Sequence, residues 1–168
     1  MLQQRSRDQN QYPSVHVLDI GFLHLLLGKD PSHLQAGDRL YFDQIRKHTG
    51  DTRRRRSVMI DIFLKEYVFI PVHSGVSQGT PNGTHWSLCV IDNRAKKILY
   101  YDSLPGQVPG KLLMKQVKQY LVLEQKDKNL SPVDVNEYSE SIMVSPFFIK
   151  CFAWVMLLIP HYPWVGLS

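Results

Sequence analysis

The sequence predicts an α+β domain with a mixed central sheet flanked by helices. Three stretches predict it. Tyr67 to Val72 is almost wholly apolar and short, the signature of a buried strand. Ser87 to Ile91 and Ile98 to Tyr101 are strand-forming runs separated by polar Asp92-Asn93-Arg94-Ala95-Lys96, the pattern of a β-hairpin. Lys111 to Gln125 carries Leu113, Val117, Tyr120, Leu121 and Glu124 at helical spacing, with Lys111, Lys115 and Lys118 on the other side. That is an amphipathic helix with a face to lay on the sheet.

The remaining elements follow in chain order. Residues 1–14 are a polar segment without the apolar core of a signal peptide. Val15 to Val17 reads as a short strand, and Ile20 to Leu27 as a helix ended by Gly28. Arg39 to His48, with Leu40, Tyr41, Phe42 and Ile45, reads as a second helix stopped by Gly50. Asp51 to Ser57 is a charged loop. Ser74 to Thr84, with three Gly and Pro81, is a loop that leads into His85. Pro132 to Val135 opens a further strand. From Ser141 onward the only full charge is Lys150. Ile142 to Pro160 is long enough to raise a transmembrane helix, but Pro146 and Lys150 interrupt it, and Cys151 to Ile159 is too short to span. A membrane is therefore not expected as a partner.

Composition narrows the function. At 168 residues the chain is expected to be one domain. Two Cys at unrelated positions argue against a disulfide framework and for a reducing, intracellular compartment, cytoplasm or nucleus. The seven His are scattered without ligand spacing, so no metal and no other cofactor is expected. The Asn82-Gly83-Thr84 glycosylation pattern has no meaning without secretion. The net charge is +5, with much of the excess in Arg53-Arg54-Arg55-Arg56. A solvated basic loop explains that run; nuclear import or contact with an acidic surface are its functional readings. Nucleic acid stays as a competing partner, although no aromatics interleave the arginines and no binding module surrounds them.

The hairpin carries chemistry at its open end. With the turn centred between Asn93 and Arg94, His85 falls directly opposite Asp102, Cβ atoms roughly 4.5–5.5 Å apart. A slip of one residue would put the two on opposite faces. An Asp beside a His fixes the imidazole tautomer and stabilises the imidazolium, so the other nitrogen can take a proton from Ser or Cys. A surface hydrogen bond with no catalytic role is the competing reading.

Taken together, Ile60 to Val72, then His85-Trp86-Ser87-Leu88, then Tyr101-Asp102-Ser103, resemble the SUMO- and ubiquitin-like-modifier-specific cysteine proteases, the sentrin-specific protease family. The resemblance covers roughly residues 15 to 135. It implies a papain-like cysteine protease superfold, here partial, with 15–140 as the catalytic domain and 141–168 as a divergent apolar tail. It also implies that His85 is the general base and Asp102 its orienting acid. By the same resemblance Trp86 lines the narrow channel that admits a modifier's C-terminal Gly-Gly. The implied activity is that of a cysteine-type peptidase or isopeptidase acting on a SUMO-like modifier and its conjugates.

Two departures stand against that pattern. The family's nucleophile lies in Asp-Cys-Gly, preceded by a Gln, and this chain has neither. Cys89 reads as a core strand residue, about 13 Å along the strand from His85 at ~3.3 Å per residue. Cys151 stands at a compatible distance after Asp102, but Lys150 and Phe152 flank it and Ser145 stands where the Gln belongs. The family's Trp-Leu-Asn-Asp helix has no counterpart either, so the catalytic domain is expected to be incomplete at its N-terminal end. Cys151 is the candidate nucleophile; an inert, modifier-binding fragment is the alternative.

Overall fold

The computed structural model describes residues 13–19, 22–27, 61–74, 85–102, 110–128 and 134–144. The expected helix Arg39–His48, the basic loop with Arg53–Arg56, the Gly-rich segment before His85, and Cys151 with its apolar surroundings lie outside them.

The described residues form one five-stranded mixed sheet whose spatial order is the chain order. The strands are β1 (Val15–Val17), β2 (Tyr67–Ser74), β3 (His85–Asp92), β4 (Lys97–Asp102) and β5 (Ser139–Val144). Strand β1 runs parallel to β2, β2–β3–β4 is an antiparallel meander, and β5 runs parallel to β4. Parallel neighbours need a crossover. Helix α1 (Phe22–Leu27) lies on the first and α2 (Gly110–Asp127) on the second.

Alternation along the strands assigns the two faces. Val68, Ile70 and Val72 of β2, Cys89 and Ile91 of β3, and Ile98 and Tyr100 of β4 point to one side. There they bury against Phe22, Leu23 and Leu26 of α1 and Leu113, Met114, Val117, Tyr120 and Leu121 of α2. Leu88 and Val90 form a smaller cluster on the other side with Tyr67, Phe69, Trp86, Leu99 and Tyr101. Pro71 sits inside β2 without breaking the ladder. The backbone of Phe69 faces β1, accepting from Leu18 N at 2.9 Å, and β1 has ended two residues further on. The N–H that Pro71 lacks thus falls beyond the last β1 pairing.

Two expectations are corrected. The turn does not centre between Asn93 and Arg94. Asp92 pairs with Lys97 around a four-residue loop, Asn93–Lys96, and Ser87, not His85, lies opposite Asp102. Asp92 Oδ1 accepts from Arg94 N and Ala95 N, and Lys96 closes the loop in the left-handed region at φ 52°. A Lys there gives no sequence signal, because left-handed backbone is read from Gly or Asn. Of the strand expected over Pro132–Val135, Pro132 and Val133 lie outside the described residues and Val135 is not in a strand. A single 3₁₀ turn, Val135–Glu137, capped by Asp134, precedes the last strand, which runs from Ser139 to Val144. The sheet thus continues past residue 140, where the apolar tail was expected to begin.

Candidate active site

The site lies at one end of the sheet, where β3 begins and β4 ends. The corrected register moves His85 two residues along from Asp102. Because side chains alternate with period two, the shift keeps both on one face, as a diagonal pair. His85 Nε2 lies 2.6 Å from Asp102 Oδ1, and the two side chains are 8% and 1% exposed. A carboxylate can only accept, so Nε2 carries the proton in this contact and Nδ1 is the basic nitrogen of the neutral ring. The contact therefore fixes which ring nitrogen carries the proton.

The second carboxylate oxygen is also engaged. Tyr100 Oη lies 3.2 Å from Asp102 Oδ2 and 2.7 Å from Ser87 Oγ. All four residues alternate onto the same face: Ser87 faces Asp102 across the ladder, and Tyr100 precedes Asp102 by two. Burial, with the nearby Asp102 charge adding to it, pushes the Tyr100 phenol well above its usual range, outweighing the opposing contribution of Ser87. The phenol thus stays protonated and remains a donor. Sequence reasoning passed over Tyr100 and Ser87. The signal was present, since both sit at even offsets from Asp102 or His85 on strands already recognised.

Trp86 belongs to the other face. Its ring lies 4.2 Å from that of His73, tilted by 43°, and it joins the smaller apolar cluster. It adjoins His85 in the chain while projecting away from the His85–Asp102 side of the sheet.

Cys89 is fully buried between Ile70 and Tyr100 in the ladder. Burial, and secondarily the charge of Glu140, pushes its thiol far above the ordinary value. A thiol that does not ionise is not a nucleophile. Cys89 is a core residue, as the sequence indicated, and Cys151 lies outside the described residues. Among the described residues no group of His, Cys, Asp and Glu could hold a metal ion. No described helix is long and apolar enough to cross a membrane.

The family model for the Ulp1 protease C-terminal catalytic domain matches residues 1–144. The chain belongs to the Ulp1 protease family. Relatives include the ubiquitin-like-specific protease ESD4 of Arabidopsis thaliana, 26% identical over 136 residues, covering 81% of this chain and 23% of the relative. Human sentrin-specific protease 3 is 29% identical over 105 residues, covering 62% of this chain and 17% of the relative. The chain thus spans about a quarter or less of the length of these Ulp1-family relatives. Solved structures agree on the fold. A de-sumoylating protease superposes with a TM-score of 0.56 at 22% identity, over 94% of this chain and 55% of its own. The C-terminal Ulp1 protease domain in complex with SMT3, the yeast ortholog of SUMO, gives 0.51 at 19% identity, over 81% and 49%. The α+β, papain-like reading of the sheet and its helices therefore holds for this Ulp1-family chain.

Proposed function

We propose that this chain is a cysteine-type peptidase that cleaves after the C-terminal Gly-Gly of a SUMO-like modifier, in precursors or conjugates. The observation that carries the reading is the buried 2.6 Å contact between His85 Nε2 and Asp102 Oδ1 in a chain of the Ulp1 family. In this reading His85 Nδ1 removes the proton from the Cys151 thiol. The thiolate attacks the carbonyl carbon after the second Gly, and His85 returns the proton to the departing amine. Water, deprotonated by His85, then releases the modifier from the thioester. Asp102 holds the tautomer and stabilises the imidazolium throughout. On the family pattern Trp86 belongs to the channel that passes only residues without side chains, reached from the face of β3 opposite His85. The modifier is the partner, no cofactor is used, and the site of action is the nucleus or cytoplasm.

A modifier whose C-terminus carries an electrophile tests this directly. The full chain should acquire one modifier at Cys151, and Cys151→Ser should abolish the adduct. Labelling that persists in Cys151→Ser would overturn the assignment. One observation favours a second reading, a chain that binds the modifier without turning it over: Lys150 and Phe152 flank Cys151, where the family has Asp and Gly. An unlabelled wild type that still retains the modifier on a column would favour that reading.

A further inference from the structure

We propose that Tyr100 is a positioning residue for the His85–Asp102 pair, its hydroxyl fixing the plane of the Asp102 carboxylate from the side that His85 does not touch. The inference rests on the reading of His85 and Asp102 as base and acid. A carboxylate held through one oxygen can still swing about its Cβ–Cγ bond, and the imidazole would swing with it. Here Oδ1 meets His85 at 2.6 Å and Oδ2 meets Tyr100 Oη at 3.2 Å, with Asp102 itself 1% exposed.

The proton count gives the contacts a direction. A phenol has one proton and an ionised carboxylate has none, so the three contacts are satisfied together only one way. Ser87 donates to Tyr100, and Tyr100 donates to Asp102. His85 donates to the same carboxylate from the opposite side. Ser87 therefore holds the Tyr100 oxygen in place and leaves its proton for Asp102.

The ring of Tyr100 is held by a third element. Gly110 opens α2 directly over it. A Cβ at Gly110 would lie 2.5 Å from Tyr100 Cδ1 and 2.7 Å from Cε1, closer than packed carbons approach. Only a residue without a side chain lets the α2 start and the Tyr100 ring occupy these positions. The placement of the acid is thus tied, through one ring, to the start of the helix that crosses over to β5.

Tyr100→Phe removes the hydroxyl and keeps the ring, which separates positioning from packing. In the full chain, with the His85 ring signals assigned by their loss in His85→Gln, the wild type should show the Nε2–H tautomer with a slowly exchanging ring proton. In Tyr100→Phe that proton should exchange about tenfold faster and the tautomer ratio should move. Turnover of a modifier amide should lose about tenfold in kcat, the low end for support of a functional side chain, with KM unchanged. A His85 ring proton and tautomer ratio identical to wild type would overturn the proposal. A wild type without turnover would count against the hydrolase reading alone, because the ring-proton measurement needs no substrate. Should Tyr100→Phe not fold, Gly110→Ala, which displaces the ring and keeps the hydroxyl, must perturb the same proton; an unperturbed signal there also overturns the proposal.

Discussion

At the scale of single residues, burial settles the chemistry of Cys89. Cys89 is enclosed on both sides of the ladder, and desolvation favours its neutral thiol. Alkylation of the native chain with iodoacetamide at pH 8, read by peptide mass spectrometry, should leave Cys89 unmodified until the protein is denatured. Modification of Cys89 in the native state would mean that this end of the sheet opens. Asp102 supplies the second residue-scale prediction. Asp102→Asn keeps the shape, but its amide nitrogen can donate to His85 and so permits the wrong tautomer. On the hydrolase reading kcat should fall about 10²–10⁴-fold, the range for loss of acid–base catalysis, with KM little changed. A variant within twofold of wild type would show that Asp102 does not orient the base. The sequence disclosed these two residues because a His and an Asp at strand ends are conspicuous. For Tyr100 and Ser87 it offered only their even offsets from Asp102 and His85, because a Tyr and a Ser on a buried face look like ordinary core until contacts bring them to the carboxylate.

At the scale of elements, the hairpin is pinned from outside by one side chain. Asn93 Nδ2 donates to Ile62 O at 2.8 Å and Lys65 O at 2.6 Å, and Asn93 Oδ1 accepts from Tyr138 Oη at 2.5 Å. The turn, the segment before β2 and the segment before β5 therefore meet at a single amide. Lys96 adds to this junction by lying over the Tyr138 ring at 5.1 Å. Asn93→Ala would take a partner from the Lys65 carbonyl and the Tyr138 phenol in a half-buried setting, while Ile62 O keeps only Lys65 N–H at 3.2 Å. A cost of about 2–3 kcal/mol in unfolding free energy follows, from urea titration. Asn93→Asp should be no milder, because it replaces the double donor with an acceptor facing two carbonyls; a near-neutral Asp variant would contradict the donor role. The same junction explains what was legible in the sequence. The apolar runs of β2, β3 and β4 and the stripe of α2 announce themselves by periodicity. The register does not, because it depends on a Lys in left-handed backbone and an Asn whose partners are 28, 31 and 45 residues away. The His85–Asp102 pairing survived the two-residue error only because that error preserves the face. Strand β5 was hidden for another reason: Ser139, Glu140 and its apolar Ile142, Met143 and Val144 are largely exposed, so no alternation marks it.

At the scale of the whole molecule, the described core stores weak acids in their neutral form. Cys89, Tyr100, Tyr120 and Tyr138 all have ionisation pushed upward, chiefly by burial, Tyr138 to about 12. These side chains come from β3, β4, α2 and the turn before β5, so their protonation bears on the fold as a unit. The unfolded chain releases these protons near the ordinary values of 9.0 for Cys and 10.0 for Tyr, while the folded chain retains them. Above those values the folded state binds more protons than the unfolded one, so stability falls as pH rises. The contribution is fully present below pH 9 and is lost progressively above it, with each retained proton adding a slope of about 1.4 kcal/mol per pH unit. Urea midpoints measured at constant ionic strength should be level from pH 7 to 8.5 and fall steeply between pH 10 and 11. Tyr138→Phe should be less stable at pH 7, since Asn93 loses a donor, and should lose less than wild type across the alkaline range. Parallel curves for the two proteins above pH 10 would show that Tyr138 ionises as readily in the folded chain as in the unfolded one.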